Sequence, residues 1–575
     1  MNGYYVAMHI DVVANRGSRP AYLLRESYRE GERVRKRTLA NLSSLSDEQL
    51  LAIRAVLRGE QLAPVDTLFE AIASRAHGQV QAVRVAMRRL AVASVLGTSP
   101  RRERDLVCAM VAARVLAPHT KLATTRWWHS TTLAEEFSVA DADEDDLYAA
   151  MDWLLERQGA IEKKLAARHL RAGDLALYDL SSSYFEGTTC PLAKIGHNRD
   201  GKKNKLQVNY GLLANERGCP VAVAVFEGNT ADCETLLPQA KRLRQDFGID
   251  SVVMVGDRGM ISQGAIDELR ELEAMAWITA LKSVQIRALV EQGALQLGLF
   301  DKRNLFEFRH EQFRGERLVA CRNPQLAELR AHKRRELLEA TRAELDKVRA
   351  MVERGRLRGA DRIGLRVGRV LNKYKMAKHF ELQIEPRSFA FRIREAQVAA
   401  EAALDGIYVL RTPLERKHMD AAQVVRSYKS LAEVERAFRC LKTVDLNIRP
   451  IHHRLADRVR AHILLCMLAY YVEWHMREAW RALLFADEDI EAKARRDPVA
   501  PAKRSDAAEH KALTHTLSDG SPAHSFRTLI EELSSIVRNT CRTPSAPEDR
   551  PTFTITTRPN PTQQRALQLL ETIRV

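Results

Sequence analysis

Three carboxylates in unlike settings are the residues of this chain best placed to do chemistry together. Asp179 interrupts the apolar run LALYDLSSSYFEG, Asp257 ends the run SVVMVGDRG, and Glu435 lies in the helical stretch YKSLAEVERAFRCLK. Asp is disfavoured in the middle of a strand, so Asp179 needs a reason to be there. Three acids gathered at one site would repel and raise one another's pKa. Mg²⁺ removes that conflict, because it takes hard oxygen ligands and keeps substrate oxygens in its shell. Two such ions about 3.5–4 Å apart activate an attacking water or 3′-hydroxyl and stabilise the leaving oxygen. In a chain of pI about 9.5, the substrate that fits is a nucleic-acid phosphodiester.

Helical phase selects among the glutamates. Seven residues bring a helix back to the same face within about 20°, so Tyr428, Glu435 and Lys442 stack, with Leu431 and Phe438 beside them. Glu433 points the opposite way, to solvent or another element. The plainer readings are a Glu435–Lys442 ion pair on a surface helix and a turn-forming Asp257. The segment GHNRDGKK, 196–203, comes close to a phosphate-binding loop. Lys203 stands where the metal-binding Ser or Thr belongs, however, and a strand follows instead of a helix. Arg199, Lys202, Lys203 and Lys205 instead form a cationic loop suited to a phosphate backbone, or a merely solvated one. His452 and His453 have no zinc-site spacing and read as packing or phosphate contacts.

Composition narrows the class. At 575 residues the chain is long enough for two to four domains. Lys and Arg number 90 against 74 Asp and Glu, a net +16, which points to a polyanion and not a membrane. Eight scattered cysteines without a CxxC pair argue against a disulfide framework or zinc knuckle and for a reducing cytoplasm. The N-terminus lacks the apolar core of a secretory signal. ILLCMLAYYV, at 463–472, is about half a membrane span and reads as a buried helix.

The elements that must position the acids follow from hydrophobic period. Residues 1–60 read as a small strand and helix region, with a hairpin at Glu30-Gly31 and a helix capped by Ser46. Residues 61–172 read as helical and basic, a DNA-binding region or an ordinary solvated surface. From 173 to 283 the order is β-β-β-α-β-α-β, an antiparallel meander followed by right-handed crossovers into a mixed sheet. Asp257 then ends a strand at the carboxyl edge, where open α/β sheets place ligands. Residues 284–400 read as an α/β insertion, 401–480 as the second part of the core with the Glu435 helix, and 481–575 as a C-terminal linker and helix with a loose tail.

LYDLSSSYFEG, RDGKKNK, GLLANERGCPVAVAVFEGNTAD, VVMVGDRGMIS, ITALK, DGIYVLRT, the Glu435 helix and IRPIHHRLADRVRAHI together resemble bacterial insertion-sequence transposases of the DDE type. The nearest branch carries its last acid in a Tyr-x2-Arg-x3-Glu-x6-Lys signature and has a β-rich insertion in its core. The resemblance covers roughly residues 170–480. It implies an α/β, RNase H-like catalytic core, metal binding by Asp179, Asp257 and Glu435, and Mg²⁺ (or Mn²⁺) as cofactor. It implies contacts with transposon-end DNA by Tyr428 and Lys442, and Arg258 and Arg436 join the basic loop as expected DNA-contacting residues. Leu431 occupies the signature's Arg position, leaving one phosphate contact for which Lys429 and Arg436 are the nearby alternatives. The expected partners are double-stranded DNA, as terminal inverted repeats and target, and a second copy of the chain in a synaptic complex, with no membrane. The expected location is the bacterial cytoplasm, at the nucleoid. The expected reaction cuts the element's ends and joins their 3′-hydroxyls to target DNA; the alternatives are a metal-dependent nuclease without strand transfer and a decayed DNA-binding relative.

Overall fold

The computed structural model describes residues 7–60, 62, 69–202, 204–272, 274–301, 303–500, 503–543 and 552–575. The chain divides into two compact units, one of Met1–Arg75 with Val537–Thr557 and one of Ala76–Ile536 with Arg558–Val575. In the first, β1 (Ala7–Asn15), β2 (Ser18–Glu30) and β3 (Arg33–Asn41) form an antiparallel sheet in that order. The β2–β3 hairpin closes at Gly31, whose φ of +64° lies in the left-handed region that glycine enters without strain. The helix Asp47–Leu57 follows, with the Ser46 hydroxyl accepting the Gln49 N–H and the Gln49 side chain accepting that of Ser46. A second sheet joins β4 (Glu70–Ala76) to the strands Val537–Arg542 and Phe553–Thr556, so the segment read as a loose tail contains paired strands.

The larger unit is built around one mixed sheet. β5 (Leu175–Tyr184), β6 (Gln207–Asn215) and β7 (Pro220–Glu227) make the antiparallel meander, and β8 (Val252–Val255) and β9 (Met275–Ala280) add in parallel after one helix each. The VVMV run of β8 is buried throughout, as a parallel strand covered on both faces must be. The chain then passes through β10 (Leu305–Phe308), β11 (Arg317–Arg322), a 30-residue helix Pro324–Glu353, the helix Ala360–Tyr374 and a ribbon of β12 (Phe380–Ile384) with β13 (Phe389–Ile393), returning as β14 (Ile407–Thr412). The sheet order is β10-β11-β14-β9-β8-β5-β6-β7, and its β7-β6-β5-β8-β9 part is an RNase H-like core.

Segment 284–400 is therefore not a single appendage. Its strands β10 and β11 extend the main sheet beyond β14 and share an apolar cluster, with Ile286, Leu289, Phe306 and Leu318, that also takes in Ile407 and Val409 of β14, whereas the stretch from Pro324 onward has a cluster of its own, around Leu345, Val348, Ile363, Val367 and Phe380. The helix Ala456–Ala479 is buried on most of its sides and packs against β7 and the helices Arg102–Leu116 and Glu144–Glu156. Among the described residues no single helix is long and apolar enough to cross a membrane. The polar stretch 485–525 also packs, because Asp487 binds the N-cap residue Ser505 and the buried Lys511 donates to the carbonyls of Arg481 and Leu484. All eight cysteines are free.

Candidate active site

Register brings the first two acids together. Parallel β5 and β8 pair Leu177 with Val255, so Asp179 lies two residues further along β5 and Asp257 two residues beyond the last paired residue of β8. Asp179 is half-buried in mid-strand, whereas Asp257 is exposed just past the end of β8. The Asp179 Oδ1 accepts the Leu180 N–H at 2.8 Å. Glu435 comes from the helix Leu431–Arg439, which packs on β5. Val434, Ala437 and Phe438 form its buried stripe, with Phe438 edge-on to Tyr210 of β6 at 5.8 Å. That spacing leaves Glu435 exposed at the margin. Burial pushes the Asp179 carboxyl up to about 7; Glu435 and Asp257 add to the rise, and the Leu180 N–H and Arg199 oppose it.

Tyr428 closes the group by donating its hydroxyl to Asp257 Oδ1 at 3.2 Å. Burial, and then the Asp257 carboxylate, push its phenol well above the ordinary range. Tyr428, Glu435 and Lys442 do not share one continuous helix. A break at Ser430 separates Ala421–Lys429 from Leu431–Arg439, and a π turn, Cys440–Val444, follows. A wider turn advances each residue by less than the α-helical angle. Lys442 consequently leaves the Glu435 face and meets Asp200 Oδ1 at 3.0 Å, with its side chain 11% exposed. Glu433 lies against the hairpin at Gly218, 2.7 Å from where a Cβ would stand, and pairs with Arg436 Nη1 at 2.5 Å.

In the basic loop Arg199 turns inward, whereas Lys202 and Lys205 are exposed. Arg199 bonds both Asp232 oxygens, at 2.6 and 2.7 Å, and Lys205 pairs with Glu186 at 2.9 Å. The Lys202 ammonium lies 5.9 Å from the Tyr184 ring centre; Lys203 lies outside the described residues. Asp200, 2% exposed, accepts the Tyr184 N–H and holds Lys442 and Arg449. Sequence reading passed over Asp200 and Arg449, since nothing local marks a loop acid as the anchor of distant cations.

Cations without carboxylate partners gather elsewhere. A cavity of about 440 Å³ is lined by Arg258, Arg287, Arg330, Lys333 and Lys375, among others. None of these five has an ion-pair partner among the described residues, whereas the lining Arg334 is paired with Asp405. Apart from Arg258 they escaped the sequence reading, because they are scattered from 287 to 375 and only the fold assembles them.

The donors of the acid group are hard carboxylate oxygens with no sulfur or imidazole among them, and burial first, then the neighbouring carboxylates, raise the Asp179 pKa. That set fits a divalent cation of the magnesium class. The sequence model of the family "Transposase DDE domain" matches residues 181–472, and that of "IS1634 family transposase, N-terminal domain" matches residues 10–65. The first match spans half of the chain, holds Asp257 and Glu435, and begins two residues after Asp179. The chain also has a distant likeness to the cryo-EM structure of the piggyBac transposase synaptic complex with hairpin DNA, at 9% identity and TM-score 0.33 over 80% of this chain and 76% of that one. No curated protein matches the sequence. The chain belongs to the insertion-sequence DDE transposases, metal-dependent enzymes acting on DNA.

Proposed function

We propose that Asp179, Asp257 and Glu435 form the catalytic centre, that the metal is Mg²⁺ or Mn²⁺, and that the enzyme cuts the terminal inverted repeats of its element and joins their 3′-hydroxyls to target DNA. What supports this reading is placement: Asp179 in mid-β5, Asp257 just past the end of the neighbouring strand β8, and Glu435 on a helix that packs on β5 although it lies more than 170 residues beyond β8. Bound divalent cations supply Lewis acidity on the phosphodiester and lower the pKa of an attacking water or 3′-hydroxyl. The chain's own residues orient that chemistry: the Leu180 N–H fixes one Asp179 oxygen, and Tyr428 fixes one of Asp257. In the joining step a 3′-oxygen attacks phosphorus and one phosphodiester is exchanged for another, so no nucleotide is consumed. Two copies acting together would pair two ends, in the bacterial cytoplasm at the nucleoid, with helices from 61–172 adding end contacts. Incubating an end duplex and a target plasmid with Mg²⁺ should yield both a 3′-end nick and a joined product. Nicking without joining would make the protein a nuclease, and neither product would refute the reading.

Metal binding should be linked to pH through Asp179. Its folded pKa of about 7 is raised above the ordinary 3.8, so the folded state holds the proton more tightly and, without metal, stability falls as pH rises from about 4 to 7. A cation must displace that proton. Mg²⁺ affinity should therefore rise up to about tenfold per pH unit below 7 and level off above it. Calorimetry in two buffers of different ionisation enthalpy should show about one proton released near pH 6, and Asp179→Asn should abolish it.

The unpaired cations are proposed as a contact with the DNA backbone. Each neutralised phosphate contributes about one unit to the slope of log affinity against log salt. Arg330→Ala with Lys333→Ala should thus weaken binding to end and random duplexes alike, by about tenfold at moderate salt. A loss confined to the cognate end, or an unchanged slope, would exclude this contact. Lys202→Ala should have a smaller effect, and Arg199→Ala should act through the fold, because its guanidinium is taken up by Asp232.

A further inference from the structure

Away from the acids, His169, Cys219 and His475 bring one ligand atom each to within 4.8 Å of one another. His169 ends the helix Gln158–His169, Cys219 precedes β7, and His475 lies on the buried helix Ala456–Ala479. Cys219 and His475 are buried, and His169 is half-buried. The scattered spacing hides this group from any motif search, which is why the sequence offered no zinc pattern.

We propose that these three side chains bind a metal ion of the zinc class, in a structural site separate from the carboxylates. A thiolate at about 2.3 Å and an imidazole at about 2.1 Å, held at the tetrahedral angle, stand about 3.6 Å apart. Cys219 Sγ and His475 Nε2 are 3.7 Å apart. His169 Nε2 is 3.0 Å from the Tyr471 hydroxyl, which orients that ring and sets an oxygen beside the trio. Sulfur and nitrogen donors favour zinc over the hard cation that suits three carboxylates. The neighbouring Cys440, Asp445 and Glu473 group also comes within ligand range, but there Arg477 already bonds Glu473 and Asp445 at 2.6 Å each.

The placement gives the ion a role. It would tie the β6–β7 hairpin to two helices, and Gly218 of that hairpin supports the Glu435 helix through Glu433. A φ of +82° and the Glu433 contact leave no room for a side chain at Gly218, so the hairpin's position is transmitted to the helix.

Metal-stripped full-length protein should be titrated with Co²⁺ in the presence of excess Mg²⁺, following the near-ultraviolet absorption that only a thiolate ligand produces. One equivalent of Co²⁺ should saturate it, Zn²⁺ should displace it, and chelation should lower Tm by roughly 5 °C or more. Cys219→Ser should remove the band and Cys440→Ser should retain it. His475→Gln should weaken Co²⁺ binding at least tenfold. No thiolate band in the folded wild type would overturn the proposal, as would a band lost with Cys440 and kept without Cys219. The readout does not depend on DNA cleavage, so its failure leaves the proposed reaction untouched, and failure of that reaction leaves this site untouched.

Discussion

Glu435→Gln should abolish Mg²⁺-dependent nicking of an end duplex while the protein still binds that duplex in a gel shift. Glu433→Gln should leave nicking nearly intact. The two side chains stand two residues apart and differ by about 200° of helical rotation. Val434, Ala437 and Phe438 bury the stripe between them, so Glu435 is exposed beside Asp179 and Asp257 while Glu433 faces the hairpin at Gly218. Gln preserves the shape of Glu435 and removes its charge, so the loss should fall on the chemical step and not on docking. A carboxylate that helps hold a catalytic cation is worth several kcal/mol of transition-state stabilisation, and at about 1.4 kcal/mol per decade the nicking rate should drop about 10³-fold or more. Glu433→Gln weakens a pair with Arg436, whose guanidinium is exposed, worth about 0–1 kcal/mol. Wild-type nicking by Glu435→Gln, or equal losses in both variants, would remove this helix from the active site.

What the sequence could reveal was set by how local each signal is. The β5-to-β9 order was legible because every element carries its own period and its own turn residues. The neighbourhood of Asp179 and Asp257 was legible too, since both end or interrupt apolar runs that must become paired strands. Helical phase separated Glu435 from Glu433 correctly, because the angle between them accrues within one short helix. It failed over the longer reach to Lys442, where the break at Ser430 and the π turn from Cys440 intervene; neither leaves a strong mark in composition. The cations of the cavity, and His169, Cys219 and His475, were illegible for another reason. Each is unremarkable in its own segment, and only tertiary contacts make a group of them. Strands β10 and β11 were read as part of an appendage because their pairing partner β14 lies far along the chain.

Asp200→Ala should be the most destabilising single change in the loop after β5. The Asp200 side chain is 2% exposed and holds Lys442 at 3.0 Å together with Arg449. Removing it leaves two poorly hydrated cations facing each other, and breaking a buried pair from one side costs about 3–5 kcal/mol. Partial exposure of Arg449, at 21%, places the expectation near about 3 kcal/mol, read as a shift in denaturant midpoint without a change in slope. Lys442→Met alone should cost under about 1 kcal/mol, because Asp200 keeps Arg449, and burial already lowers the Lys442 pKa despite the pull of Asp200. In the Asp200→Ala background the same Lys442→Met change should restore about 1 kcal/mol or more, since it removes an uncompensated buried charge. This non-additivity separates two roles for Lys442. A residue that mainly grips DNA phosphate would lower the salt slope of end binding by about one unit when replaced by Met and show no such rescue. An internal counter-ion of Asp200 would leave the slope unchanged and show the rescue, and the geometry of the π turn favours that outcome.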